Sequence, residues 1–353
     1  MTYLYEQVLR PILFLFNPEY IHDAFVSLGE IIGSFWITRA KTKFFFNTRR
    51  KDIAKVIDGI TYRTPVLLAA GFDYNGRLTR VLPCISFGGE EVGSVTARRC
   101  DGNPKPRMTR LPKSKSIIVN KGLRNDGVDA VISRLKKNPN ISDATKRDFV
   151  IGVSIARTND TSSVDLAAGI DDYVYSFKRL NEEGIGDYYA INISCPNAFG
   201  GEAFTKPDLL AALLTKLVLV TCKKPIYIKM PINLPWDKFD ELLKIIDFYK
   251  IHGVIIGNLN KDYESIGQHG EAPDEYSGGL SGMPCRKLST ELIRLTRQKY
   301  GRRFTIIGVG GIFSAADARE KFEAGADLVQ LITGMIYEGP GLIKDICDSL
   351  PVK

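Results

Sequence analysis

Histidine is scarce in this chain, with three among 353 residues. A mechanism resting on an imidazole base has few candidates, and a histidine-rich metal site has almost none. Cysteine pairs at metal-ligand spacing are missing too. The six cysteines (84, 100, 195, 222, 285 and 347) include no C-x-x-C. Neither a zinc or iron–sulfur centre nor a disulfide framework is indicated, and no metal is expected. Free thiols of this kind suit a reducing, cytoplasmic setting. The apolar stretch Leu9-Arg10-Pro11-Ile12-Leu13-Phe14-Leu15-Phe16 is too short to span a bilayer and is broken by Arg10 and Pro11. It lacks the basic start and small-residue cleavage site of a signal peptide. Acidic residues are outnumbered, 40 against 48 Lys and Arg, which leaves a net charge of +8 and a pI near 9.0. That balance admits nucleic acid, an anionic membrane face or an anionic ligand as partner. No nucleic-acid motif accompanies it, so nucleic acid is not expected.

What is present suffices for one large domain with a small appendage: 44% hydrophobic residues and 32 glycines. Asn17-Pro18 reads as a helix N-cap with proline at the first helical position. Ile21, Ala24, Phe25, Leu28, Ile31, Ile32, Phe35 and Trp36 then recur at helical spacing. A cationic run follows (Arg39, Lys41, Lys43, Arg49, Arg50, Lys51) with Phe44-Phe45-Phe46 inside it. Residues 1–43 are therefore expected to form an amphipathic helical hairpin lying peripherally in one membrane leaflet. The same stripe is compatible with helices that simply pack on the rest of the chain.

From Thr64 onward strand and helix alternate. Strands are expected at 66–70, 91–96, 149–155, 188–193, 226–230, 253–257, 304–308 and 328–332. Helical stretches are expected at 128–136, 171–182, 207–220, 238–250, 288–298 and 315–324. Eight apolar strands, most followed by a helix, predict an α/β fold, a (β/α)8 TIM barrel over residues 44–353. An open, doubly wound sheet is the alternative. Glycine signals late in the chain favour the barrel. Gly308-Val309-Gly310-Gly311 follows the seventh strand and Thr333-Gly334 the eighth, where barrels place a phosphate. Lys229, between Ile228 and Met230, is an inward cation that a flavin edge would partner; a lysine exposed at a strand end is the other reading. The fourth strand runs into Asn192-Ile193-Ser194-Cys195-Pro196-Asn197. A thiol at the C-terminal end of a barrel strand, with amides on both sides, is placed to take a proton from a substrate held by those amides. A structural cysteine beside a tight turn stays open as well.

Taken together these stretches resemble the dihydroorotate dehydrogenases, and specifically their quinone-linked, membrane-associated class. The likeness covers nearly the whole chain. It runs through Leu68-Ala69-Ala70-Gly71-Phe72-Asp73, Gly93-Ser94-Val95-Thr96, the stretch around Cys195, Lys229, Gly278-Gly279-Leu280-Ser281-Gly282, 307–312 and Glu338-Gly339-Pro340. The resemblance implies an FMN-dependent oxidoreductase of pyrimidine biosynthesis, oxidising dihydroorotate to orotate with a membrane quinone as acceptor. It implies FMN contacts at Ala70, Gly71, Ser94, Asn192, Lys229, Gly282, Gly310, Gly311, Thr333 and Gly334. Cys195 falls on the position of the base, and Asn192, Asn197 and Asn258 on positions that hold the pyrimidine.

Four departures from the family pattern all lie on the substrate side. The quinone-linked class usually has serine where Cys195 stands. Tyr74 replaces a lysine that meets the substrate, and Leu259 replaces a threonine. The loop Val119-Asn120-Lys121-Gly122-Leu123-Arg124-Asn125 is about one residue shorter than the family's. Asn120 and Arg124 are assigned with Tyr74 to the substrate side, and Arg124 or Lys121 is expected to make up for the lost lysine. For Cys195 to act as a thiolate, the site has to lower its pKa. Two other functions stay open: a related flavoenzyme acting on a C–C bond of a different small carbonyl compound, and a flavin-binding protein without turnover.

Overall fold

The computed structural model describes residues 2–138, 148–199, 201–266 and 271–351. Eight parallel strands close a barrel: β1 (Val66–Leu68), β2 (Gly89–Val95), β3 (Val150–Ile155), β4 (Tyr188–Asn192), β5 (Ile226–Met230), β6 (Gly253–Ile256), β7 (Thr305–Val309) and β8 (Leu328–Leu331). Each pairs with its sequence neighbours, and β8 returns to β1 through Val329↔Val66 and Leu331↔Leu68. Closure removes the open sheet from consideration. Most strands are rich in Val, Ile and Leu because both faces are covered, the inner by the barrel core and the outer by helices, while β2 carries the buried Glu90 and Glu91. Every expected strand is present, with ends that differ by no more than two residues.

Leu67, Val150, Tyr188, Ala190, Tyr227, Ile255, Ile307 and Leu328 fill the barrel interior. The hairpin Lys55–Ile57/Ile60–Tyr62 lies against its N-terminal end, where buried Tyr62 joins that core and Tyr227 OH donates to Asp58 at 2.7 Å. Packing therefore seals the bottom, and the C-terminal mouth is left for chemistry. Over the mouth sits a three-stranded antiparallel roof made of Met108–Leu111, Ser116–Val119 and Gly279–Gly282.

Ahead of the barrel come a helical segment at residues 2–14 and the helices α1 (Pro18–Ser34) and α2 (Trp36–Phe46). Asn17 caps α1 as the sequence suggested, its side-chain oxygen accepting from the N–H groups of Glu19 (2.9 Å) and Tyr20 (3.2 Å). Only part of this unit's apolar surface is covered. Leu15 is 83% exposed, and Trp36 and Phe44 are each 71% exposed. Among the described residues no helix is long and apolar enough to cross a membrane.

Candidate active site

β4 ends at Asn192, and Pro196, which has no N–H, keeps the ladder from resuming. Just past the strand, Ser194 knots three strand ends together. Its hydroxyl donates to the Lys229 carbonyl of β5 at 2.8 Å and accepts from Asn258 Nδ2, beyond β6, at 2.8 Å. Asn258 Nδ2 also lies 3.3 Å from Asn192 Oδ1, and Asn192 Nδ2 donates to Ser94 Oγ of β2 at 3.0 Å. Ser94 Oγ in turn meets Ser154 Oγ of β3 at 2.7 Å. The result is a belt of hydroxyls and amides around the barrel mouth, each held by the next. Beneath it Lys229, almost fully buried, faces the buried Glu91 at 3.5 Å. Glu91's other oxygen accepts from Gln330 Nε2 at 2.9 Å and from Tyr188 OH at 3.4 Å.

Cys195 stands half-buried above the belt. Burial pushes its thiol up to about 11, only partly offset by the Asn197 backbone N–H. The lowering that a thiolate base would need is not supplied by these residues. The apolar wall outweighs the nearby donors, and at neutral pH the side chain is a thiol.

A cavity of about 360 Å3 starts at the belt, passes Cys195 and continues between the N-terminal helices. Ala70, Gly71, Ser94, Asn192, Lys229, Gly282, Gly310, Gly311, Thr333 and Gly334 all line it, as do Tyr74, Arg124, Asn197 and Asn258. Leu13, Phe14, Ile21 and Phe25 form its other end, with Met335 and Ile336. Asn120 is the exception and is not on the wall. Its amide accepts from Asn103 Nδ2 at 2.7 Å and donates to Ser277 Oγ at 3.3 Å, which ties it to neighbouring loops. Asn197 lines the cavity, but its Nδ2 is committed to the Val119 carbonyl at 2.7 Å.

The charged loop at 121–124 meets α1. Arg124 Nη1 lies 3.1 Å from Asp23 and 3.4 Å from Glu19, and Lys121 Nζ lies 3.1 Å from Glu19. Arg107 Nη2 donates to the same Glu19 oxygen at 2.6 Å. Burial opposes ionisation of Glu19, yet Arg107 and Lys121 outweigh it and hold the carboxyl at about 2. Tyr74 lies with its ring 5.2 Å from His22 and 5.7 Å from the Lys121 ammonium. Glu19, His22, Asp23, Arg107 and Ser194 were not singled out from the sequence. Glu19, His22 and Asp23 did carry a signal there: polar residues at i, i+3 and i+4 mark one face of a helix otherwise read only for its apolar stripe.

A sequence model of the family described as dihydroorotate dehydrogenase matches residues 53–353. This chain belongs to that family. It is 38% identical over 351 residues to a dihydroorotate dehydrogenase (quinone) of Christiangramia forsetii, covering 97% of each chain. A dihydroorotate dehydrogenase (quinone) of Thermosynechococcus vestitus is 34% identical over 359 residues, covering 98% of this chain and 96% of its own. Among solved structures, the dihydroorotate dehydrogenase of Eimeria tenella in complex with ferulenol superposes with a TM-score of 0.81 at 28% identity, over 94% of this chain and 90% of that one.

Membership in the family implies a flavin cofactor, and the residues at the mouth fit one. Gly310 has φ +103°, and a Cβ there would stand 2.8 Å from the Cys285 Cβ; at Gly334 a Cβ would meet the Ile312 carbonyl at 1.8 Å. Close packing against the protein's own atoms thus demands glycine at both places, and Gly310, Gly311, Thr333 and Gly334 together line the cavity at the ends of β7 and β8, where a barrel's phosphate site lies. The near-buried Lys229 ammonium and the Ser94–Asn192 belt add the polar groups that an isoalloxazine edge uses.

Proposed function

We propose that the chain oxidises dihydroorotate to orotate on FMN and passes the electrons to a membrane quinone. One observation carries this reading: a single cavity holds Cys195 and the glycine cradle at one end and an apolar passage through the N-terminal helices at the other. Bound FMN supplies the two-electron acceptor for the substrate and the donor for the quinone. The chain's own residues do the rest. Gly310, Gly311, Thr333 and Gly334 take the phosphate end, with Ala70, Gly71, Ser94, Lys229 and Gly282 along the ring system. Asn192 and Asn258 orient the pyrimidine through its amide edges, and the bonds between them fix those side chains before substrate arrives. Cys195 Sγ takes the acidic proton from the carbon next to the carbonyl. Because the resting group is a thiol, it must first lose its proton to solvent, and the thiolate so formed is a strong base.

The passage suits an isoprenoid quinone, with Leu13, Phe14, Ile21 and Phe25 as apolar wall and Arg110 as a polar stop. Residues 1–43 act as the membrane-facing unit: exposed Leu15, Trp36 and Phe44 enter the leaflet edge, and Arg39 and Lys41 meet anionic headgroups. Tyr74 and Leu259, both on the cavity wall, favour a second reading in which a different small carbonyl ring is the substrate. The test is orotate formation by the purified yellow protein with a soluble quinone analogue. Quinone-dependent orotate production supports the reading. Failure with dihydroorotate, together with turnover of another enone or ring amide, supports the second.

A further inference from the structure

Cys195 lies beyond the end of β4, whose pairing with β5 stops at Asn192 and Lys229, so the sheet itself does not hold it. The turn at 195–199 is fixed from outside the barrel instead. Asn103 Nδ2 donates to the Asn197 carbonyl at 3.0 Å, and Asn197 Nδ2 donates to the Val119 carbonyl at 2.7 Å. The Phe199 N–H donates to Asn159 Oδ1, and the Phe199 carbonyl accepts from Arg157 Nη2.

Two of these four bonds lead to one side chain. Besides holding Asn197, Asn103 Nδ2 donates to Asn120 Oδ1 at 2.7 Å. Asn103 Oδ1 accepts at 2.9 Å from Nδ2 of Asn159, the residue whose own oxygen holds Phe199. Both N–H donors of the Asn103 amide and its oxygen are therefore in use. Its backbone is anchored as well, the N–H on the Lys121 carbonyl at 3.2 Å and the carbonyl on Arg107 Nη1 at 3.0 Å. Arg107 is buried and paired with Glu19 of α1. Packing leaves the amide no slack, since a Cβ on Gly122 would stand 2.4 Å from Asn103 Oδ1.

The peptide that Asn103 holds is the one that faces the thiol. The Ala198 N–H, in the same plane as the Asn197 carbonyl, turns back to the Cys195 carbonyl at 3.4 Å. Burial raises the thiol, and the N–H groups of Asn197 and Ala198 oppose that rise. A tilt of this peptide would shift Cys195 and its donors together.

We propose that Asn103 is a positioning residue for Cys195, acting through the Asn197 carbonyl and Asn159 without lining the cavity itself. The inference rests on the reading of Cys195 as the base.

The test uses FMN-loaded holoenzyme carrying Asn103→Ala, Cys195→Ala or both. Flavin bleaching at saturating dihydroorotate, reoxidation by a soluble quinone analogue and calorimetric binding of orotate are measured per bound FMN. Asn103→Ala is expected to slow bleaching by about 10- to 100-fold, the scale of a reacting group misplaced by about 1 Å. Reoxidation and orotate affinity should stay near wild type, which a general loosening of the barrel would not allow. Added to Cys195→Ala, the substitution should slow bleaching little further, because residues that act as a unit are non-additive. Should Asn103→Ala not fold, Asn103→Asp is read in the same way: it keeps the shape and the acceptor for Asn159 but turns the donor edge into an acceptor. Bleaching that the substitution leaves unchanged, or slows equally in the Cys195→Ala background, overturns the inference alone, as does a matching loss of reoxidation or orotate affinity. A wild type that dihydroorotate does not bleach, or Cys195→Ala bleaching as fast as wild type, overturns the reading on which it rests.

Discussion

At neutral pH the Cys195 side chain carries its proton, since burial raises the thiol to about 11 and the Asn197 N–H compensates only in part. If the thiolate is the base, the rate of flavin reduction should climb about tenfold per pH unit through the alkaline range, levelling off only near that value. Cys195→Ala should slow the step by about 10²-fold or more. Cys195→Ser should push the rise to still higher pH, because a hydroxyl holds its proton more tightly. Stopped-flow flavin bleaching between neutral pH and 10 checks this; a flat profile contradicts it. The position of the thiol was legible in the sequence, because a Cys-Pro at a strand end is a local pattern. Its pKa was not. Desolvation depends on walls contributed by distant strands, and those walls raise it. The same holds for Asn120: its partners Asn103 and Ser277 come from other loops, so its hydrogen bonds could not be read locally.

Among the elements, α1 depends most on a single side chain. Glu19 joins it to Arg107 and Lys121 beneath the roof, and removing its charge leaves two buried cations with no carboxylate. Glu19→Gln should therefore cost about 3–5 kcal/mol, the usual result of breaking a buried pair on one side. Urea unfolding measures it, and a loss below about 1 kcal/mol, the scale of a surface pair, contradicts it. The pH dependence has a definite sign. A carboxyl held at about 2, against an ordinary 4.5, contributes stability that is complete above 4.5 and lost as pH falls through about 2. Protection of the α1 amides, relative to their intrinsic exchange at each pH, should thus be steady from neutral pH down to 4.5 and fall below it.

At the scale of elements the sequence was informative wherever structure is local and periodic. The strands showed as Val/Ile runs, and α1 as a capped stripe. The roof escaped notice because Ser116–Val119 pairs with Gly279–Gly282, and pairing across that much chain leaves no local trace. Being short, its strands also show too little alternation to stand out from loop.

Across the whole molecule, the chain buries one end of a cavity in a barrel and opens the other among helices whose outer faces remain apolar. Those outer faces are expected to bind lipid. Trp36→Glu with Phe44→Glu, both on exposed surface, should weaken binding to vesicles containing anionic lipid and slow turnover with a membrane-dissolved quinone. Reduction of the flavin by dihydroorotate should be untouched, as neither residue lines the cavity. Vesicle flotation and flavin absorbance report the two effects separately, and unchanged flotation counts against the membrane role.

The central claim is that one cavity serves two half-reactions, and rapid mixing without oxygen addresses it most directly. Oxidised holoenzyme is mixed first with dihydroorotate and then with a quinone analogue, once in the wild type and once in Ile21→Trp, which narrows the apolar end of the cavity. The expected result is flavin bleaching by dihydroorotate at equal rates in both proteins, with orotate formed in step, and reoxidation by quinone that is slower in Ile21→Trp. A flavin that dihydroorotate does not bleach, or that quinone reoxidises equally fast in both, would contradict it.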